Sequence, residues 1–163
     1  MTTQTMTQTI PVRLDFDATV PGFSKAMATL DRAATRALDD AGIEPRLREL
    51  VRIRASLLNG CAYCIDMHTK DARAIGETEQ RIYALPAWRE TPFFTASERA
   101  ALAFTESVTL LAGTHVPDAD YAAVAAEFGP AQVGALVALI VAINAWNRIG
   151  VATRAWEPGS YQP

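Results

Sequence analysis

The chain has 163 residues and a formal net charge of -3, with 50% of its residues hydrophobic and 20% charged. That apolar content excludes a disordered chain, and the sign of the charge removes the electrostatic basis for binding nucleic acid. The length suits one domain that buries roughly two-thirds of its unfolded surface.

Residues 1–18 are expected to form a flexible arm, and residues 19–163 a single helical domain. The opening MTTQTMTQTIPVRL is polar and rich in threonine. It lacks the basic, apolar and small-residue succession of a secretory signal, which points to the cytoplasm. Strand patterns are almost absent, while proline and glycine fall where helices would start and stop. A first helix is predicted from Pro21 or Gly22 to about Asp40, ending at Gly42. A second starts at Pro45, a residue suited to a first turn, and runs to Leu58 before Asn59 and Gly60 break it. The third spans Cys61 to Ala74 and stops at Gly76; a short fourth covers Glu77 to Leu85 before Pro86. Thr95 and Glu98 form a capping-box pattern that opens a helix reaching Gly113. Pro117 to Phe128 and Pro130 to about Ile149 complete the set, and EPGSYQP is a loop. About seven helices with short connections define an all-α domain. The longest apolar run, Gly134 to Ile143, has ten residues, about half of a bilayer span, so it reads as a core or subunit-contact helix and no membrane partner is expected.

The segment NGCAYCIDMH, residues 59–68, holds both cysteines and one of the two histidines. In a reducing compartment such a pair rarely serves as a structural disulfide. Cys61 falls in the first turn of its helix, where unsatisfied N–H groups and the helix dipole favour a thiolate. Cys61, Cys64 and His68 are separated by 3, 4 and 7 positions and so share one helix face. The sulfurs lie within disulfide reach, and an imidazole one turn on can take the thiol proton. A zinc site needs four ligands, and only the distant His115 adds to these three, so no metal is expected. Covalent haem attachment requires histidine directly after the second cysteine, where Ile65 stands. From the residues alone a redox pair and an inert chance pair remain open, and His68 or Tyr63 can be plain packing. Glu49, among Arg46, Arg48 and Arg52, reads by default as a solvated charge or a partner of Arg52.

The stretch ELVRIRASLLNGCAYCIDMH, residues 49–68, resembles the core motif of the AhpD-like proteins of the carboxymuconolactone decarboxylase superfamily: glutamate, eleven residues, C-x-x-C, three residues, histidine. HTKDARAIG, ERAALAFTESVTLLAGTHVPD and INAWNR also look like this family, so the resemblance spans roughly residues 20–157. It implies an oligomeric helical fold and a thiol-dependent peroxidase acting on organic hydroperoxides or hydrogen peroxide. Cys64 would attack the hydroperoxide, Cys61 would close the disulfide, and His68 with Glu49 would relay protons. In the best-studied branch a second histidine stands where this chain has Tyr63, which becomes the possible relay or substrate contact. His115, in the loop before Pro117, is not expected to replace it. The decarboxylases of the superfamily lack the paired cysteines, so a lyase-type or purely structural role is an alternative the pair argues against. The other alternative is a disulfide reductase or redox sensor using the same pair.

Reduction of the disulfide implies an external dithiol, a lipoyl group or a thioredoxin-like protein, with no bound cofactor, since no glycine-rich dinucleotide fingerprint follows a strand. The last predicted helix carries Val133, Leu136, Val137, Ile140 and Ile143 around its circumference. A subunit interface is therefore expected, with Asn144, Asn147 and Arg148 making polar contacts near it. Similar proteins form trimers or hexamers, and a homo-oligomer is the expectation here.

Overall fold

Helix α3 (Pro45–Asn59) is the axis of the fold, and its sequence explains why. Leu47, Leu50, Val51, Ile53 and Ala55 are buried along with the polar Glu49 and Ser56, so little of its circumference is left for solvent. It packs against α4 (Ala62–Ala74), α6 (Ala96–Thr109) and α9 (Pro130–Thr153). Leu47 and Val51 join one core cluster with Leu38, Phe104, Val124 and Leu136; Leu50 and Ile53 join a second with Leu85, Trp88 and Leu102. A helix with two apolar stripes, each buried in a different cluster, is covered on more than one side.

The computed structural model describes residues 10–163, and among them the chain is all-helical, with nine α-helices, one 3-10 helix and no strand. The expected seven increase for three physical reasons. Phe16–Thr19 (α1) is a single turn capped by Asp15, whose carboxylate accepts from Ala18 N–H at 3.0 Å. Four residues are too few to show a helical period. The helix opened by the Thr95–Glu98 capping box breaks at Leu110, and one further turn, Leu111–Thr114 (α7), follows it. The fourth predicted helix does end before Pro86, as α5 (Glu79–Ala84), but a 3-10 helix, Leu85–Glu90, follows it directly, with the missing N–H of Pro86 in its first turn, where it costs nothing. The remaining elements, α2 (Pro21–Asp40) and α8 (Asp118–Glu127), lie where expected.

Residues 1–9 of the expected arm lie outside the described residues. Residues 13 and 14 donate their N–H groups to Thr153 O at 2.9 and 3.1 Å, placing this segment on the end of α9. By length and composition α9 would suffice to cross a membrane, and it extends four residues past the expected Ile149. Its most apolar window is 50% buried within the protein, with α2 and α3 packed against it, as for a core helix.

Asn144, Asn147 and Arg148, expected to make polar contacts near a subunit interface, make polar contacts within the chain. Asn59 Nδ2 donates to Asn144 Oδ1 at 3.0 Å and to Asn147 Oδ1 at 2.9 Å, while Asn147 Nδ2 donates to Ser56 Oγ at 3.0 Å. Arg148 donates to Asn144 Oδ1 at 3.0 Å. Buried amides must find partners, and these tie the end of α3 to α9 just before the cysteine segment.

Candidate active site

The cysteine segment is shaped by the join between α3 and α4. Gly60, at φ 68°, occupies the left-handed position that ends α3, and its sequel Cys61 donates its N–H back to Ser56 O at 3.0 Å. Cys61 is thus the N-cap of α4 rather than a residue of its first turn, and its Sγ accepts from Cys64 N–H at 3.4 Å. The two cysteines form a disulfide with Cα atoms 5.3 Å apart, and both are buried, at 2% and 4% exposure. When the bond is reduced, the same helix N-terminus favours a thiolate at either sulfur.

The two sulfurs face different surroundings. Cys64 lines a cavity of about 490 Å³ together with His68, Tyr63 and Arg52, and Cys61 does not. Cys61 lies instead against α9 at Gly150, where an added Cβ would meet its Sγ at 3.0 Å and the Trp156 ring at 3.5 Å. Gly150→Ala should therefore crowd a buried sulfur that the disulfide holds in place. Thermal melting of the oxidised protein is expected to show a loss of about 1–3 kcal/mol, as for other overpacked sites. An unchanged midpoint would mean that α9 yields there.

Behind Cys64 the helix face carries His68, at 8% exposure, with Nδ1 2.9 Å from Glu49 Oε2. Glu49 is 6% exposed and accepts from Arg52 at 2.5 Å through its other oxygen. Burial pushes the Glu49 carboxyl upward, but the hydrogen bond from His68 and the charge of Arg52 outweigh it and hold the group below its ordinary value of 4.5. An ionised carboxylate only accepts, so Nδ1 of His68 carries the proton and Nε2 is left as the basic nitrogen. The stabilisation from ionised Glu49 is complete above about pH 4.5 and is lost as pH falls through its depressed native value. The gap in melting temperature between the wild type and Glu49→Gln should be widest near neutral pH and close in acid; a gap independent of pH would contradict the buried pair.

Glu49, His68 and Asp71 offer ligand atoms within 4.8 Å of one another. Both Glu49 oxygens already accept, from Arg52 and His68, so a cation would compete with the guanidinium charge and with the proton on His68 Nδ1. The donor set fits a proton relay better than a metal.

Tyr63 also lines the cavity, its ring 5.6 Å from that of Trp156. Partial burial and the nearby carboxylates of Asp66, Asp17 and Asp71 raise its pKa, so at neutral pH it is a donor and not a base. His115 closes α7 in a left-handed conformation and is not among the cavity residues. Residues the motif did not reveal complete the site. Asp71 stands 3.9 Å from His68 Nδ1 and accepts from the Tyr161 hydroxyl at 2.7 Å, a bond that pushes the Tyr161 pKa up to about 12. The C-terminal segment is held by Gly159 N–H on Asp66 at 2.9 Å, Lys70 on Tyr161 O at 2.9 Å, and Trp156 Nε1 on Asp17 at 2.9 Å. Such contacts span some 90 to 140 positions, and no local pattern announces them.

A helix opened by C-x-x-C and backed by a buried carboxylate–imidazole pair on the expected spacing places the protein among the AhpD-like domains. The sequence pattern of the carboxymuconolactone decarboxylase family matches residues 21–107, and the chain belongs to that family, in its AhpD-like branch. It is 50% identical over 112 residues to the uncharacterized protein YdfG of Bacillus subtilis (strain 168), covering 69% of this chain and 76% of YdfG. A crystal structure from Agrobacterium tumefaciens, of a protein of unknown function provisionally assigned to AhpD-type antioxidant defence, superposes with a TM-score of 0.84. The two are 36% identical over 91% of this chain and 99% of that one. The debrominase Bmp8 superposes with a TM-score of 0.74 over 87% of this chain and 74% of its own, at 20% identity, a likeness of fold alone.

Proposed function

We propose that this protein is a thiol-dependent peroxidase that reduces organic hydroperoxides or hydrogen peroxide. The observation that carries the reading is the division of labour between the sulfurs: Cys64 lines the cavity beside His68, and Cys61 is held behind it within bonding distance. His68, through Nε2, takes the Cys64 proton, and Glu49 holds the imidazole in that tautomer and stabilises the charge it acquires. The thiolate attacks the terminal oxygen of R–O–OH and the O–O bond breaks. Cys64 becomes a sulfenic acid, and RO⁻ takes the proton from His68 and leaves as an alcohol. The Cys61 thiol then attacks the sulfenic sulfur, water departs, and the disulfide forms. A dithiol, a lipoyl group or a thioredoxin-like protein, takes the disulfide back to two thiols and is itself oxidised.

The AhpD-type antioxidant assignment of the Agrobacterium relative supports the same reading. Tyr63 serves as a donor at the cavity wall and not as a relay base. We further read the protein as a homo-oligomer, a trimer or hexamer, because α9 exposes Val137 and Val141, one turn apart, on the face its own chain leaves open. The test is consumption of a small organic hydroperoxide and of hydrogen peroxide by purified protein with excess dihydrolipoamide. Cys64-dependent loss of peroxide supports the peroxidase; disulfide cycling with no loss of peroxide assigns the pair to a redox partner or sensor.

A further inference from the structure

We infer that Trp156 selects the substrate, and that the cavity beside Cys64 takes hydroperoxides bearing a planar ring. The inference rests on the peroxidase reading and names the substrate class of that same site.

Size comes first. A dry apolar cavity of about 150 Å³ holds benzene, and ligand sites commonly run from about 300 to 1,000 Å³. The cavity here measures about 490 Å³, far more than hydrogen peroxide needs and enough for a single ring with its hydroperoxyl arm. Its walls supply the second argument. Tyr63, Trp146 and Trp156 form a continuous aromatic surface, with Trp156 centred 5.6 Å from Tyr63 and 5.7 Å from Trp146. Met67, Ile143 and Ala28 extend it with apolar atoms. A ring entering this space meets other rings edge-on or offset, the arrangements aromatic pairs favour, and a thioether that contacts aromatic edges well.

Several polar groups on the wall are already bonded within the protein. Asp17 accepts from Trp156 Nε1 at 2.9 Å and from Ser24 at 2.6 Å, Arg52 is paired with Glu49, and Asp71 holds Tyr161. Arg32, also on the wall, bonds Thr29 Oγ1 at 2.9 Å and pairs with no carboxylate among the described residues, so charge does not restrict the substrate and the rings set the preference. The position of Trp156 supplies the third argument. Its ring and the Cys61 sulfur approach the same point over Gly150, so the aromatic wall adjoins the disulfide and not a remote end of the cavity. The bond that Trp156 donates to Asp17 and those that hold Gly159 and Tyr161 pre-set the indole before substrate arrives.

Cumene hydroperoxide and tert-butyl hydroperoxide test this directly, because both are tertiary hydroperoxides and differ by phenyl in place of methyl. Each oxidises Cys64 to the sulfenic acid and leaves as its alcohol, so the chemistry is matched and only the ring differs. The ratio of their kcat/KM values is expected to favour cumene hydroperoxide by about tenfold. Trp156→Ala should bring the ratio close to unity, and Trp156→Phe should keep most of it. Equal efficiencies in the wild type, or a ratio unmoved by Trp156→Ala, would overturn the inference while leaving a Cys64-dependent peroxidase in place. A second readout needs no turnover: 2-phenyl-2-propanol should quench the tryptophan fluorescence of the oxidised protein saturably, and tert-butanol at equal concentration should not. Should no peroxide be consumed, the peroxidase reading fails, and the alcohols alone decide whether the cavity prefers a ring; absence of quenching by either would overturn that as well.

Discussion

Cys64→Ser should abolish hydroperoxide consumption, and Cys61→Ser should leave one peroxide-dependent oxidation per chain with no recycling. The asymmetry arises because Cys64 lines the cavity and Cys61 is packed behind it against Gly150. A serine hydroxyl is not ionised near pH 7 and cannot attack the O–O bond at a useful rate, so the first variant has no nucleophile. In the second, the sulfenic acid forms and has no thiol within reach, since these are the only two cysteines of the chain. Mass spectrometry after dimedone treatment should find the adduct on Cys64 in Cys61→Ser and none in Cys64→Ser. An adduct on Cys61, or turnover surviving in Cys64→Ser, would reverse or remove the assignment of roles.

Glu49→Gln and His68→Gln should each slow the first oxidation by roughly a hundredfold, the lower end of what a positioned general acid–base group contributes. The two side chains are 2.9 Å apart and act as one device: the carboxylate sets the tautomer and the imidazole moves the proton. Removing either leaves little for the other to do, so the double variant should be only slightly slower than the worse single one. Glutamine at position 49 keeps an oxygen near Nδ1 but supplies no charge to the imidazolium that forms. Stopped-flow measurement of Cys64 oxidation across pH separates the effects. If the single losses multiply in the double variant, the two groups act independently and the relay is wrong.

How much of this is legible in the chain depends on the distance over which each feature is encoded. Cys61, Cys64 and His68 share a helix face by arithmetic, and the capping box at Thr95 and Glu98 appears in the structure with both of its bonds. Glu49 is different, because nothing within a few residues distinguishes it from a solvated acid beside Arg52. Only the family spacing marked it, and only burial against α4 shows its second bond to His68. Trp156, Asp71 and Tyr161 lie in or bind a tail that reads as a plain loop.

The amino-acid order by itself determined the helical class, most of the helix limits and the placing of two thiols and an imidazole on one face, because these follow from periodicities and caps that act over three to seven residues. Tertiary structure alone decided which sulfur meets the cavity, that Asn144 and Asn147 serve the α3 junction, and that a terminal tryptophan walls the site. Those outcomes rest on contacts between segments far apart in the chain, where burial of polar groups and ring packing set the energy and no local pattern records them.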